Sequence, residues 1–240
     1  MIRILMIAIF LVVYFLLSIP AWGIIWLIAK KDQELADRIS MKCVRLGFGG
    51  IIFLSGTKVH VTGQENIPKD KAVVYIANHR GMFDIVTAYM YMPRPTGFIA
   101  KKEVEKIPLL RVWMRCIRCL FLDRKDLKAG MKTMIAGVKQ IKAGHSMYIC
   151  PEGTRNKNKE LLPFKNGSFI LASKSGSPVV PVAIKGTDDA FENNHPKRIT
   201  KAEVYLSFGK PFYIAELAQE DQDNIGEYTR GLVQKLLDEM

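Results

Sequence analysis

A histidine and an aspartate five residues apart are the side chains of this chain best suited to acid–base chemistry. His79 follows a compact apolar run, 72–77, and Asp84 comes five positions later. In a continuous helix the two side chains would point about 140° apart. If His79 lies in a loop and Asp84 begins a helix, the carboxylate can fix the ring's tautomer while the other ring nitrogen accepts a proton. The alternative is that Asp84 simply caps its helix and His79 is an ordinary loop residue.

Two further predicted strands are also followed by polar side chains. Pro-Glu-Gly-Thr-Arg at 151–155 comes after the apolar run 146–150, and Arg124 comes after the run 120–122. A glycine, a hydroxyl and an arginine can cradle a phosphate, although a surface turn uses such residues too. Ligands gather at the carboxyl edge of a parallel sheet, so the three strand ends favour one shared site.

Other chemistries lack their motifs in this sequence. It contains no G-x-S-x-G, no G-x-x-x-x-G-K-[ST] and no H-E-x-x-H, so we expect the histidine to act directly on a substrate hydroxyl. Cys116 and Cys119 form a C-x-x-C pair without a second pair or nearby histidines at ligand spacing. The sequence therefore predicts reduced thiols and no metal site.

The elements that must position these residues alternate along residues 57–240. Compact or alternating apolar runs predict strands, and apolar residues at helical spacing predict the helices between them. We predict an α/β fold with a mostly parallel sheet flanked by helices. The predicted strands are 58–61, 72–77, 96–100, 120–122, 146–150, 179–184 and 203–208, and the main predicted helices are 84–92, 103–117, 127–143 and one from about 216.

The N-terminal segment 1–56 is predicted to anchor the chain in a membrane. The 26 residues Ile4–Ala29 carry no charge, which is enough to cross a core of about 30 Å and too long for a signal peptide. Lys30 and Lys31 follow at once, which predicts a cytoplasmic location for the remaining domain. The apolar patch 46–54 is too short to span alone, so a single span and a helical hairpin in one leaflet both remain open.

The motifs together resemble a known family. N-H-x-x-x-x-D at 78–84, P-E-G-T-R at 151–155 with F-K-N-G at 164–167, and the run V-V-P-V at 179–182 occur in the order found in glycerolipid acyltransferases. The resemblance is to the bacterial 1-acylglycerol-3-phosphate (PlsC) type and covers roughly residues 58–210. One motif departs from the pattern, because Cys119 stands where the family has glycine before the segment that ends in Arg124.

The resemblance implies a reaction and a set of roles. His79 would be the general base that Asp84 orients, and a lysophosphatidic acid hydroxyl would attack an acyl thioester of coenzyme A or acyl carrier protein. It implies no cofactor, and a cell (inner) membrane location. Other acceptors, such as another lysophospholipid or an aminolipid, and hydrolysis of the thioester by water are the alternatives. The residues implied to bind or shape the phosphate site are Lys101, Arg124, Glu152, Gly153, Thr154 and Arg155.

Positive charge is concentrated in one stretch of the chain. Twelve basic and four acidic side chains lie between Lys101 and Lys142, so this stretch carries +8 of the net +12. Arg111, Arg115 and Arg118 would share one face of a continuous helix. A solvated face is the plain interpretation, and docking to anionic lipid or to an acidic carrier protein are the functional ones. The anchor and the site argue against a nucleic-acid partner.

Overall fold

The computed structural model of the chain describes residues 2–158 and 160–240. The strands are β1 (Lys58–Thr62), β2 (Val74–Ala77), β3 (Thr96–Lys101), β4 (Leu120–Leu122), β5 (Ser146–Ile149), β6 (Val179–Lys185) and β7 (Glu203–Phe208). The helices are α1 (Ile2–Ala29), α2 (Gln33–Ser55), α3 (Phe83–Ala88), α4 (Pro108–Cys116), α5 (Leu127–Lys142), α6 (Ile170–Ser175), α7 (Thr187–Ala190), α8 (Gln219–Asp223) and α9 (Ile225–Asp238).

The strands form one mixed sheet in the order β1-β7-β6-β2-β5-β3-β4. Every pairing is parallel except that of β6 with β7. The central strand β2 is buried along its whole length, as its uninterrupted apolar sequence predicts. The predicted α/β fold with a mostly parallel sheet flanked by helices is confirmed.

The sheet separates two apolar layers. One layer packs α1, α2, α3 and α4 against side chains such as Tyr75 and Tyr148. The other packs α5, α6 and α9 against alternate side chains of the same strands, such as Val74 and Met147. Because successive side chains of a strand point to opposite faces, each central strand contributes to both layers.

The N-terminal segment is a helical hairpin. α1 and α2 are joined by a short turn, and α1 is long and apolar enough to cross a membrane. Two glycines of α2 admit aromatic rings of α1, because an added Cβ at Gly50 would lie 2.2 Å from the ring of Phe10, and one at Gly47 would lie 2.9 Å from Tyr14. The indole nitrogen of Trp113 donates to Ser18 Oγ at 3.1 Å, which ties the hairpin to α4.

The helix predicted over 103–117 begins later than expected and ends close to the predicted position. A 3-10 helix covers Lys102–Lys106, and α4 begins only at Pro108, where a proline lacks the N–H that the first turn leaves unpaired. Arg118 lies beyond the end of α4 with φ 62°. Its guanidinium pairs with buried Asp37 of α2 at 2.9 Å. Because Arg118 lies outside the helix, the three arginines do not share a helical face.

Two other predicted helices differ in detail. The helix predicted over 84–92 is α3 followed by a 3-10 turn, Tyr89–Tyr91. The final helix, predicted from about 216, is broken into α8 and α9 at Asn224. The four cysteines are free thiols, and Cys119 is the buried one among them.

Candidate active site

The carboxyl ends of the parallel strands place the predicted site residues along one edge of the sheet. His79 follows β2, and the two strands that flank β2, namely β5 and β6, lead to Glu152 and Thr187. Lys101 ends β3, and Arg124 follows β4 at the far edge. Since neighbouring strands lie about 4.8 Å apart, the fold brings side chains from distant parts of the sequence into one row.

His79 and Asp84 form the predicted pair. His79 Nδ1 lies 2.7 Å from Asp84 Oδ2. Asp84 is fully buried in the first turn of α3, and the same oxygen accepts the backbone N–H of Arg80 at 2.7 Å and of Gly81 at 3.0 Å. The carboxylate therefore closes the loop that precedes α3 instead of capping the helix alone, and this brings the ring to it.

The outer ring nitrogen of His79 is available for chemistry. No hydrogen bond joins Nε2 to another residue of the described chain, and 24% of the side chain is exposed. With Asp84 accepting from Nδ1–H, the neutral ring presents a lone pair on Nε2. A hydroxyl that approaches from solvent could transfer its proton there.

Thr187 completes the environment of Asp84, and no motif in the sequence marks this threonine as a site residue. Its hydroxyl donates to Asp84 Oδ1, across 103 positions of the chain. The threonine opens α7 directly after β6, and it is fully buried. Both oxygens of Asp84 are thus satisfied by donors from two neighbouring strand ends, which holds the carboxylate in one orientation.

Asn78 fixes the end of β2 against β6. Its Nδ2 donates to the carbonyl of Ile184 at 2.8 Å, and its Oδ1 accepts the N–H of Ile184 at 2.8 Å. The side chain is fully buried. Asn78 belonged to the recognised motif without a stated role, and this contact assigns it to positioning His79.

Glu152 also contacts the loop between β2 and α3 that carries His79. Its Oε1 accepts the backbone N–H of His79 at 2.7 Å, and its Oε2 accepts the N–H of Leu162 at 3.1 Å. Burial raises the pKa of this carboxyl above its ordinary value, although those two hydrogen bonds oppose the rise. An acceptor-only group that is already occupied suits a phosphate poorly, so these contacts favour Glu152 as a residue that shapes the site rather than one that binds the phosphate directly.

The remaining phosphate candidates only partly come together. The Arg124 guanidinium donates to the carbonyl of Gly153, and Gly153 has φ 72°, a conformation that favours glycine. Arg155 Nη1 pairs instead with Glu192 Oε1 at 2.9 Å. Lys101 Nζ pairs with Glu103 at 3.1 Å, and Thr154 is exposed on the loop.

Glu192 was not predicted from the sequence, since it lies in a polar segment after α7 with no recognisable motif. Besides Arg155, its Oε1 accepts the N–H of Met82 at 2.9 Å. A Cβ added to Gly81 would lie 2.6 Å from its Oε2, so a glycine here allows the carboxylate to approach the backbone closely. Glu192 therefore connects the loop that carries Arg155 to the loop between His79 and α3.

The fold and the site define an α/β enzyme with a histidine–aspartate pair at the carboxyl edge of its sheet. A family model described as Acyltransferase matches residues 58–185, which hold both of these side chains and the Gly-Thr-Arg loop. The chain belongs to this acyltransferase family.

Curated and solved relatives agree with this assignment. The 1-acyl-sn-glycerol-3-phosphate acyltransferase of Haemophilus influenzae is 30% identical over 199 residues, 80% of this chain and 80% of that protein. The protein of the same name from Borreliella burgdorferi is 26% identical over 196 residues, 82% of this chain and 76% of that protein. The crystal structure of the 1-acyl-sn-glycerophosphate (LPA) acyltransferase PlsC from Thermotoga maritima superposes with a TM-score of 0.78 at 26% identity, covering 100% of this chain and 97% of that one.

Proposed function

We propose that this enzyme transfers an acyl chain from an acyl thioester to the sn-2 hydroxyl of 1-acyl-glycerol-3-phosphate, forming phosphatidic acid. The observation that carries the proposal is the His79 ring, held through Nδ1 by Asp84 with Nε2 open to solvent. The names of the relatives support this acceptor.

The chemistry follows from that geometry. His79 Nε2 takes the hydroxyl proton as the oxygen attacks the thioester carbonyl, so that a C–O bond forms and a tetrahedral oxyanion develops. When the C–S bond breaks, the imidazolium returns its proton to the departing thiolate. Asp84 stabilises the imidazolium between these steps, as a carboxylate on the far nitrogen does in other histidine bases.

The acceptor phosphate would bind near the cationic side chains that follow the strand ends. Arg124 lies against Gly153, and the adjoining Thr154 and Arg155 add a hydroxyl and a second guanidinium. Lys101 ends the strand beside β4. Guanidinium and hydroxyl donors are well matched to phosphate oxygens, and holding the phosphate would bring the sn-2 hydroxyl to His79.

The hairpin would hold the enzyme at the membrane that contains its acceptor. The outer face of α1 exposes large apolar side chains along most of its length, among them Leu5, Val12, Leu16 and Ile24. Lys30 and Lys31 at the hairpin turn favour the cytoplasmic side of a cell (inner) membrane with anionic lipids. We assign residues 1–56 to the anchor and 57–240 to the acyltransferase domain.

The proposal is tested with purified protein in detergent micelles, labelled lysophosphatidic acid and either acyl-CoA or acyl carrier protein as donor. We expect labelled phosphatidic acid only when a donor is present, and a loss of roughly 10²–10⁴-fold in kcat for His79→Ala. His60→Ala is the matched control, because His60 lies on the edge strand β1 and pairs with exposed Glu203.

Three results would contradict the proposal. They are full turnover by His79→Ala, release of free fatty acid without any acceptor, and preference for an acceptor without a phosphate. The second would indicate a thioester hydrolase, and the third a different lipid acceptor.

A further inference from the structure

Helix α5 presents an unusual outer surface. It carries four lysines and no acidic residue. Three large apolar side chains stand in the open on it, with Leu127 89% exposed and Met131 and Ile135 each 48% exposed. Since they recur at every fourth position, they share one face and cover about 12 Å of the helix. We call this set, with Lys128, Lys132 and Lys139 beside it, the α5 face.

The α5 face points away from the anchor. The inner residues Met134 and Ile141 of α5 belong to the apolar layer that also holds α6 and α9. The hairpin lies in the other layer, across the sheet. A bilayer that takes up the exposed outer face of α1 therefore lies on the opposite side of the molecule, and the α5 face is turned to water.

The position of α5 links this face to the catalytic edge. The helix begins three residues after Arg124, and Arg124 lies against Gly153 in the loop 151–155 that we propose to bind phosphate. The first turn of α5 is thus at the same edge of the sheet as His79. A partner bound along α5 would have the site at one end of its footprint.

We propose that the α5 face docks an acidic protein that carries the acyl thioester, an acyl carrier protein. This rests on the proposed function, because it assumes that the site consumes an acyl thioester. Lysines without acids fit an acidic protein surface by charge complementarity, and the exposed leucine, methionine and isoleucine supply the apolar centre that a protein interface needs. The phosphates of coenzyme A could pair with the lysines. They would not cover the apolar side chains from Leu127 to Ile135, which extend over about 12 Å at 1.5 Å per residue.

The test compares donors on the full-length enzyme. Lys128→Glu with Lys132→Glu reverses the charge, and Met131→Ser with Ile135→Ser removes the apolar stripe. Each pair is expected to raise the KM for acyl carrier protein by about tenfold or more and to leave kcat/KM with acyl-CoA within about twofold. Lys174→Glu with Lys235→Glu is the matched control, because these lysines are exposed on α6 and α9 on the same side of the sheet. Fluorescence anisotropy of labelled carrier protein measures docking independently of turnover.

Several outcomes would overturn the docking proposal. An unchanged KM for the carrier protein, an equal loss with both donors, or turnover with acyl-CoA alone would each do so. If the α5 variants lost binding to vesicles of anionic phospholipid but kept binding to the carrier protein, the α5 face would be a membrane-binding surface instead. A concentration-dependent dimer that the serine variants abolish would make it a contact between copies. If the carrier docks on α5 but neither donor acylates lysophosphatidic acid, the proposed function fails while the docking surface stands.

Discussion

At the scale of single residues, the site depends on two side chains that act through others. Thr187 holds Asp84, and Glu192 holds both Arg155 and the N–H of Met82. Neither lies within the residues 58–185 that the family model covers. Thr187 lies 103 positions from Asp84, and Glu192 lies 110 positions from Met82 and 37 from Arg155. Only the fold brings these residues together.

Replacing Thr187 by valine should slow the reaction without unfolding the protein. Valine has nearly the same shape but no hydroxyl, so Asp84 Oδ1 loses its donor and the ring is held less firmly. We expect kcat to fall by about tenfold, the cost of one hydrogen bond to a charged group. Thr187→Ser should restore most of the rate. An unchanged kcat in the valine variant would mean that the backbone donors of Arg80 and Gly81 suffice.

Replacing Glu192 by alanine should mainly affect binding of the acceptor. Arg155 would lose the carboxylate that orients it, and the N–H of Met82 would lose its acceptor. We expect the KM for lysophosphatidic acid to rise by about tenfold with a smaller change in kcat, and Glu192→Gln to be intermediate. Glu227→Ala is the control, because this exposed acid pairs with Arg230 on α9 and with no other cation of residues 2–158 and 160–240. A lower KM would show instead that Glu192 competes with the phosphate for Arg155.

At the scale of elements, the hairpin depends on the close approach of α1 to α2. Gly50→Ala would place a methyl group against the ring of Phe10, which must then move. We expect a loss of about 1–3 kcal/mol in the free energy of unfolding, as for an overpacked core, measured as a lower Tm in detergent. Gly23→Ala should raise the Tm or leave it unchanged, since nothing lies within 4 Å of that Cβ. Equal Tm values for the two variants would contradict the tight packing.

Some elements could be predicted from sequence and others could not, for physical reasons. The strands were predicted because unbroken apolar runs such as 179–184 suit a doubly covered parallel sheet. Even the pairing of His79 with Asp84 followed from a loop between a strand and a helix. The turn at Arg118 could not be foreseen, because a left-handed non-glycine residue is stabilised there by Asp37, 81 positions away. Likewise, the family resemblance implied that Glu152 shapes the phosphate site, but the two backbone N–H groups that its carboxylate accepts, those of His79 and Leu162, could be identified only from the fold.

At the scale of the whole molecule, the N-terminal hairpin and the α/β part of the chain meet at a charged junction. Asp37 of the hairpin pairs with Arg118 at 2.9 Å and lies 3.6 Å from His145 Nδ1, near the start of β5. Burial and the charge of Arg118 lower the pKa of His145 below its ordinary value, while Asp37 opposes the shift. The two parts of the molecule are therefore joined by groups whose balance depends on pH.

This junction should make the protein less stable in mild acid. With its pKa lowered in the folded state, His145 binds a proton more readily in the unfolded chain, so stability rises with pH. Its contribution is complete above the unfolded pKa of about 6.5 and is lost as the pH falls from there through the lower folded value. We expect the Tm to fall less between pH 7.5 and pH 5.5 in His145→Gln than in the wild type. A larger fall in the variant would mean that the pairing with Asp37 dominates.

The contact between Asn78 and Ile184 makes the protein sensitive to deamidation at Asn78. The side-chain amide of Asn78 donates and accepts one hydrogen bond each, as a peptide group does. It therefore adds one pair of hydrogen bonds to those that join β2 and β6. Deamidation to aspartate would replace the donor by an oxygen facing the Ile184 carbonyl, at a fully buried position. Deamidation of this one amide would therefore disturb the strand end that carries His79, while the side chains of His79 and Asp84 remained chemically unchanged.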